Sequence, residues 1–302
     1  MKIICSTVVR AAKQGDIHGG LYIIDVDSES VEKYIPYSDS FINDNERGGE
    51  RGLRGICVLE DRIIVADSAG LLQLDKENYE IINRIKDSLV FKSIHEICYL
   101  NGYIWVTSTA YDAVVQVDLN FNICNIYKIN GRSLHDYKVL ESKDSVSKSD
   151  LTNDDNFHIN SISSENGRVV FSGLITHLYD LETMNVVSAM PTLNGSKSFQ
   201  HNFYQYEDFS LINLTSFKYL GINKDVGCDF IVIPRSKNVK YHVDTIAENN
   251  WNRGLARSGD IVFIGSSPAR ILMLDIRTQK LLKEIQLEED IRHCIHGLEV
   301  LK

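Results

Sequence analysis

Residues 94–119, IHEICYLNGYIWVTSTAYDAVVQVDL, contain a structural unit that the rest of the chain repeats with variations. The run 97–100 is apolar, Asn101-Gly102 interrupts it, and 103–107 returns as YIWVT. Asn-Gly between two β-rich runs predicts a tight hairpin, because both residues accept the positive φ that a type I′ turn demands. A second return over 113–119 alternates Val114, Gln116 and Asp118 with Val115, Val117 and Leu119. Three short antiparallel strands in so few residues make most of one propeller blade.

Working outward, the same grammar recurs. Residues 53–59, 62–66, 70–75 and 79–85 read as four consecutive strands, the third (GLLQLD) ending in aspartate as VVQVD does. Residues 121–129 complete the unit just described. FHINSISSENGRVVFSG at 157–173 turns at Asn166-Gly167, and 176–181 and 186–193 finish that blade. Strands are then expected at 201–206 and 210–217, followed after an inserted connection by 228–234 and 239–246. A further four follow at 251–256, 260–265, 270–275 and 280–287.

The N-terminal runs 3–9, 20–26 and 31–37 lack a first strand, whereas 294–301 (CIHGLEVL) is a first strand without a blade. Joined, they give an all-β, six-bladed propeller of a single domain over 1–302, its ring closed by 294–301 pairing with the N-terminal blade. Closure also removes two open sheet edges. Arg54, His95, His158, His201, Arg253 and His296 mark the blade starts, at intervals of 41, 63, 43, 52 and 43 residues. The wide interval holds the long Ser/Asp/Lys-rich segment 130–156, expected to be a lid or a disordered insertion because a loop of this length is unusual inside a compact domain.

Composition narrows the function. A hydrophobic content of 43% over 302 residues supports a large core. A net charge of −9 without a Lys/Arg run argues against nucleic acid and anionic membranes as partners. No apolar stretch is long enough for a membrane span or a signal peptide, so a cytoplasmic location is expected. The six cysteines are scattered without a CxxC pair and read as small buried hydrophobes. No GxSxG elbow and no glycine-rich loop opening a helix supports serine hydrolysis or nucleotide binding.

The recurring (I/F)H, NG(Y/R)(I/V) and LD elements resemble those of six-bladed bacterial propellers, distantly like the gluconolactonase/regucalcin and NHL-repeat groups. HEICYLNGYIWVTST, FHINSI and WNRGLA look more closely like an uncharacterised bacterial propeller family, a domain of unknown function. The resemblance spans nearly the whole chain and implies the fold. Lactonase chemistry does not carry over, because the acidic metal ligands of gluconolactonases lack counterparts at matching positions.

Propeller geometry predicts where a site lies. First strands line the channel and second strands run antiparallel to them, so the starts of the former and the ends of the latter share one face. That face should gather His95, His158, His201 and His296 as catalytic acid/base candidates, with Arg54, Asn160, Asn252, Arg253, Tyr111 and Arg270 as substrate-binding candidates. His95, His158 and His296 are candidate ligands of one divalent metal ion (Zn, Mn or Fe). His293 would face away from His296 on a strand, and His18, His135, His177 and His242 are expected to be solvated. The expected ligand is a small polar, anionic molecule, with metal-assisted lyase or hydrolase chemistry. The alternative is a non-catalytic propeller that binds a protein or a glycan.

Overall fold

The structure, a computed structural model, describes residues 1–38, 42, 49–130, 133–134, 136–147, 149–191, 200–205, 209–224, 227–240 and 246–301. These residues form six antiparallel sheets, and helical geometry among them is confined to two single 3₁₀ turns, Thr109–Tyr111 and Lys143–Ser145. No helix is long and apolar enough to cross a membrane.

From the channel outward, the shared blade is His293–Leu301, Lys2–Val9, Gly19–Asp25 and Ser30–Tyr37. Its closing pair runs antiparallel from Val9 opposite His293 to Lys2 opposite Leu301, with an irregularity between Cys5 and Thr7. The second blade is Ile56–Val58, Arg62–Ala66, Gly70–Asp75 and Ile81–Lys86; the third is Ile97–Leu100, Tyr103–Ser108, Ala113–Asp118 and Ile123–Ile129. Ser161–Glu165, Arg168–Ser172, His177–Asp180 and Val186–Ala189 make the fourth. Leu255–Ser258, Ile261–Ser266, Arg270–Asp275 and Lys280–Gln286 make the sixth.

The repeated aspartate at the end of the third strand has a physical cause. Asp25, Asp75, Asp180 and Asp275 each accept backbone N–H groups two and three residues ahead, closing the turn into the fourth strand. Asp118 accepts instead from Asn120 and Asn122, two and four residues ahead. The apolar alternation packs each sheet against its neighbours: Ile64, Ala66 and Leu71 of the second blade meet Ile104, Val106 and Val115 of the third. Cys5, Cys57, Cys98 and Cys294 are buried in such positions, and all six cysteines are free thiols.

Two expectations are corrected. In the fifth blade, Gln200–Gln205 and Phe209–Leu214 are followed at once by Tyr219–Lys224 and Gly227–Val232. The strand YLGINK reads weakly because Gly221 breaks its apolar alternation, yet Leu220 and Ile222 are both buried. The strand expected at 239–246 is absent from the described part of that range, where Lys240 makes an isolated parallel bridge to Asp290; residues 241–245 lie outside the described residues. In the segment expected to be a lid, Tyr137–Glu141 pairs with Ile123–Ile129 as a fifth, outermost strand of the third blade. Leu140 and Leu151 are buried in the core between the second and third blades. A few apolar residues in a polar stretch thus anchor it to the side of a blade, and its end brings Asp155 to the channel mouth.

Candidate functional site

Neighbouring inner strands approach closely where they enter the channel. A Cβ on Gly297 would lie 2.3 Å from the Arg54 carbonyl oxygen, and one on Gly55 2.6 Å from the Ile97 nitrogen. Hydroxyls and amides staple the contacts: Ser6 Oγ accepts from Gly297 N at 2.8 Å and donates to Arg54 O, Thr215 Oγ1 donates to Asn252 O, and Asn213 Nδ2 donates to Gly254 O. This tight ring carries the side chains at each strand start into one space.

Four imidazoles meet there. The His95 ring centroid lies 5.2, 5.7 and 5.3 Å from those of His158, His201 and His296. A cavity of about 280 Å³ opens above them, lined by Arg10, Arg54, His95, Thr109, Asp155, His158, Arg253 and His296. The hydrogen bonds assign protons to individual ring nitrogens. His95 Nδ1 donates to Ser93 O at 2.8 Å and to Thr109 Oγ1 at 3.0 Å, the threonine's own proton going to Ile159 O. Its Nε2 is therefore an unprotonated acceptor. His296 Nε2 accepts from Arg253 Nη1 at 3.1 Å and, more distantly, from Arg54 Nη1 at 3.4 Å. His201 Nε2 accepts from Asn160 Nδ2.

Burial, reinforced by the nearby guanidinium groups, holds His95, His201 and His296 well below the usual histidine range, so all three are neutral at neutral pH. Burial also lowers Arg54 to about 10 and Arg253 to about 9, which leaves both cationic. His158 differs. It sits at the mouth with Nδ1 2.9 Å from Asp155 Oδ1, and its φ of 47° is a left-handed conformation that L-residues seldom adopt.

Of the expected site residues, the six at the blade starts come together, with Asn160 behind His201. Three others do not. Tyr111 packs in the core with its hydroxyl directed to Ser88 O, and Asn252 donates to Asn213 Oδ1 and Tyr219 O as a staple between strands. Arg270 is fully buried farther out in its blade, paired with Glu284 at 2.7 Å and donating to Pro234 O. The channel-facing rule placed them by strand end without fixing which way each side chain turns.

The expected metal ligands are His95, His158 and His296. Among the described residues no three His, Cys, Asp or Glu side chains converge as a ligand set, and His296 has already given its Nε2 lone pair to two guanidinium groups, whose charge repels a cation. His18 is buried rather than solvated: its Nδ1 accepts from Gly52 N at 2.8 Å and Tyr37 packs against it edge-on. His177 is half-buried, with Nδ1 2.9 Å from Thr176 Oγ1. His135 and His242 lie outside the described residues.

Three members of the cavity wall escaped sequence reasoning. Arg10 follows Lys2–Val9, the second strand of the shared blade, so the strand-end rule applied to it; its guanidinium stacks 4.7 Å over Trp251. Asp155 was hidden in the polar insertion and Thr109 in a turn. The opposite end of the channel holds a second cavity of about 310 Å³ lined by Glu96, Glu165 and Glu299, where burial raises Glu96 to about 8 and Glu165 to about 7. One mouth of the channel is thus cationic and the other acidic.

No protein-family model and no curated protein matches the chain. Solved structures do. The chain is similar to one in the crystal structure of a nidogen/laminin complex, with 7% identity over 99% of this chain and 98% of that one and a TM-score of 0.59. A protein of unknown function from Bacteroides caccae aligns at 7% identity over 99% and 97%, with a TM-score of 0.57. Virginiamycin B lyase from Staphylococcus aureus aligns at 9% identity over 94% and 89%, with a TM-score of 0.51. What they share with this chain is the fold. At such identities the chemistry has to be argued from the site itself.

Proposed function

We propose that the protein binds a small anion, a carboxylate or a phosphate, at the histidine- and arginine-bearing mouth of its channel. The observation that carries this reading is the company kept by Arg54 and Arg253. Among the described residues their side-chain hydrogen bonds go to a neutral imidazole and to the Gly49 carbonyl, not to a carboxylate. Buried Nε atoms of both have no partner. Glu50 and Asp67 act on Arg54, and Glu96 on Arg253, only through space. Burying a cation whose hydrogen bonds go to neutral groups is costly, and an anion seated between the two guanidinium groups would offset that cost with the bidentate geometry arginine favours.

In the catalytic form of this reading, the Asp155–His158 pair acts on the bound molecule. The carboxylate orients the imidazole, as acid–base histidines require, and places it beside the arginine-held anion. Lyase and hydrolase chemistry both use such a group, and virginiamycin B lyase has a similar fold. The test is calorimetric titration with phosphate, sulfate and acetate at low ionic strength, together with Arg253→Gln. We expect saturable binding in the parent and its loss in the variant. Heats of dilution alone in the parent would end the proposal.

A further inference from the structure

We propose that the anion this site takes also carries a hydroxyl group, as a small hydroxycarboxylate does, and that His95 Nε2 accepts the hydroxyl proton; this rests on the anion reading above. The inference comes from the lone pair left over when the three buried imidazoles, His95, His201 and His296, have been accounted for. His296 Nε2 is occupied by the guanidinium groups and His201 Nε2 by Asn160. His95 is fixed by the two acceptors of its Nδ1–H, so the opposite edge of its ring presents a bare lone pair, and the residue lines the cavity. Among the described residues no group donates to it. This lone pair is open to the cavity, where a ligand hydroxyl can donate to it and a methylene cannot.

Charge prevents His95 from meeting this need as a donor. Burial and the guanidinium groups of Arg54 and Arg253 disfavour the imidazolium, so the ring accepts and does not donate from Nε2. Position sets the ligand's size. The His95 and His296 centroids are 5.3 Å apart, and Arg253 Nη1 is 3.1 Å from His296 Nε2, so the cationic wall and the accepting nitrogen border the same small volume. A molecule with its hydroxyl one or two carbons from its carboxylate spans that distance.

The experiment compares matched pairs that differ by the hydroxyl alone: glycolate with acetate, lactate with propionate, malate with succinate, each titrated into the full chain. The hydroxy member should bind about tenfold or more tightly, since a site built around a hydrogen bond rejects the analogue that lacks it. His95→Phe keeps the ring and removes the acceptor, so it should reduce each pair to equal affinity while acetate binding persists. Equal affinities within every pair in the parent would overturn the inference and leave the anion reading standing. Failure of all six acids and of phosphate to bind would remove both. The parent measurement decides the matter even if the variant does not fold.

Discussion

Replacing Arg54 by methionine separates a ligand-binding cation from a structural staple. The residue is 5% exposed, and burial lowers its pKa from 12.5 to about 10. At ~1.4 kcal/mol per pKa unit, the charged form carries a penalty of about 3 kcal/mol in the folded state. The unfolded chain holds this proton more tightly than the folded one, so the penalty is fully present at every pH below about 10 and does not vary across the working range. Methionine retains an unbranched apolar stem without the charge. It forfeits the hydrogen bonds to Gly49 O and His296 Nε2, together worth about 1–2 kcal/mol. The balance is a gain of about 1–2 kcal/mol in anion-free buffer, or roughly 2–3 °C in Tm for a chain of this length. Urea unfolding in a zwitterionic buffer measures it without introducing a competing anion. The same variant should lose the stabilisation that phosphate or sulfate confers on the parent by binding the native state. A loss of more than about 1 kcal/mol in anion-free buffer, with the sulfate effect intact, would refute the reasoning and make Arg54 a staple between blades.

Ser6→Ala should behave in the opposite way, because it leaves the buried Arg54 carbonyl and Gly297 N–H without the hydroxyl that serves both. We expect a cost of about 2–4 kcal/mol, read as a lower urea midpoint at unchanged m-value, and a midpoint within error of the parent would show that the closing blade does not depend on this staple. Glu96→Gln should show a stability advantage that depends on pH. The folded parent keeps a proton on Glu96 up to about pH 8, whereas the unfolded chain releases it near 4.5, so the parent loses stability as pH rises through that window by ~1.4 kcal/mol per unit and the amide does not. The gap between variant and parent should widen by up to about 4 kcal/mol from pH 5 to pH 8, and a constant gap would mean that Glu96 ionises freely in the fold.

The sequence by itself determined the ring. Period-two alternation, Asn-Gly turns and the aspartate that ends third strands are local signals, each with a local cause: face burial, left-handed turn residues and the backbone hydrogen bonds that Asp75 or Asp275 accepts. Strand order then placed Arg54, His95, His158, His201, Arg253 and His296 on one face, and the unmatched strands at the two ends required closure. Only the tertiary structure decided what those residues do to one another. Which imidazole nitrogen carries the proton depends on partners from distant segments: Asn160 with His201, Arg54 and Arg253 with His296, Thr109 tied to Ile159 beside His95. Side-chain direction at a strand end set Tyr111, Asn252 and Arg270 apart from the cavity and brought Arg10 and Asp155 into it. Burial, a property of the assembled ring, turned histidines that would titrate freely in a peptide into neutral acceptors and left two cationic arginines that, among the described residues, no carboxylate hydrogen-bonds.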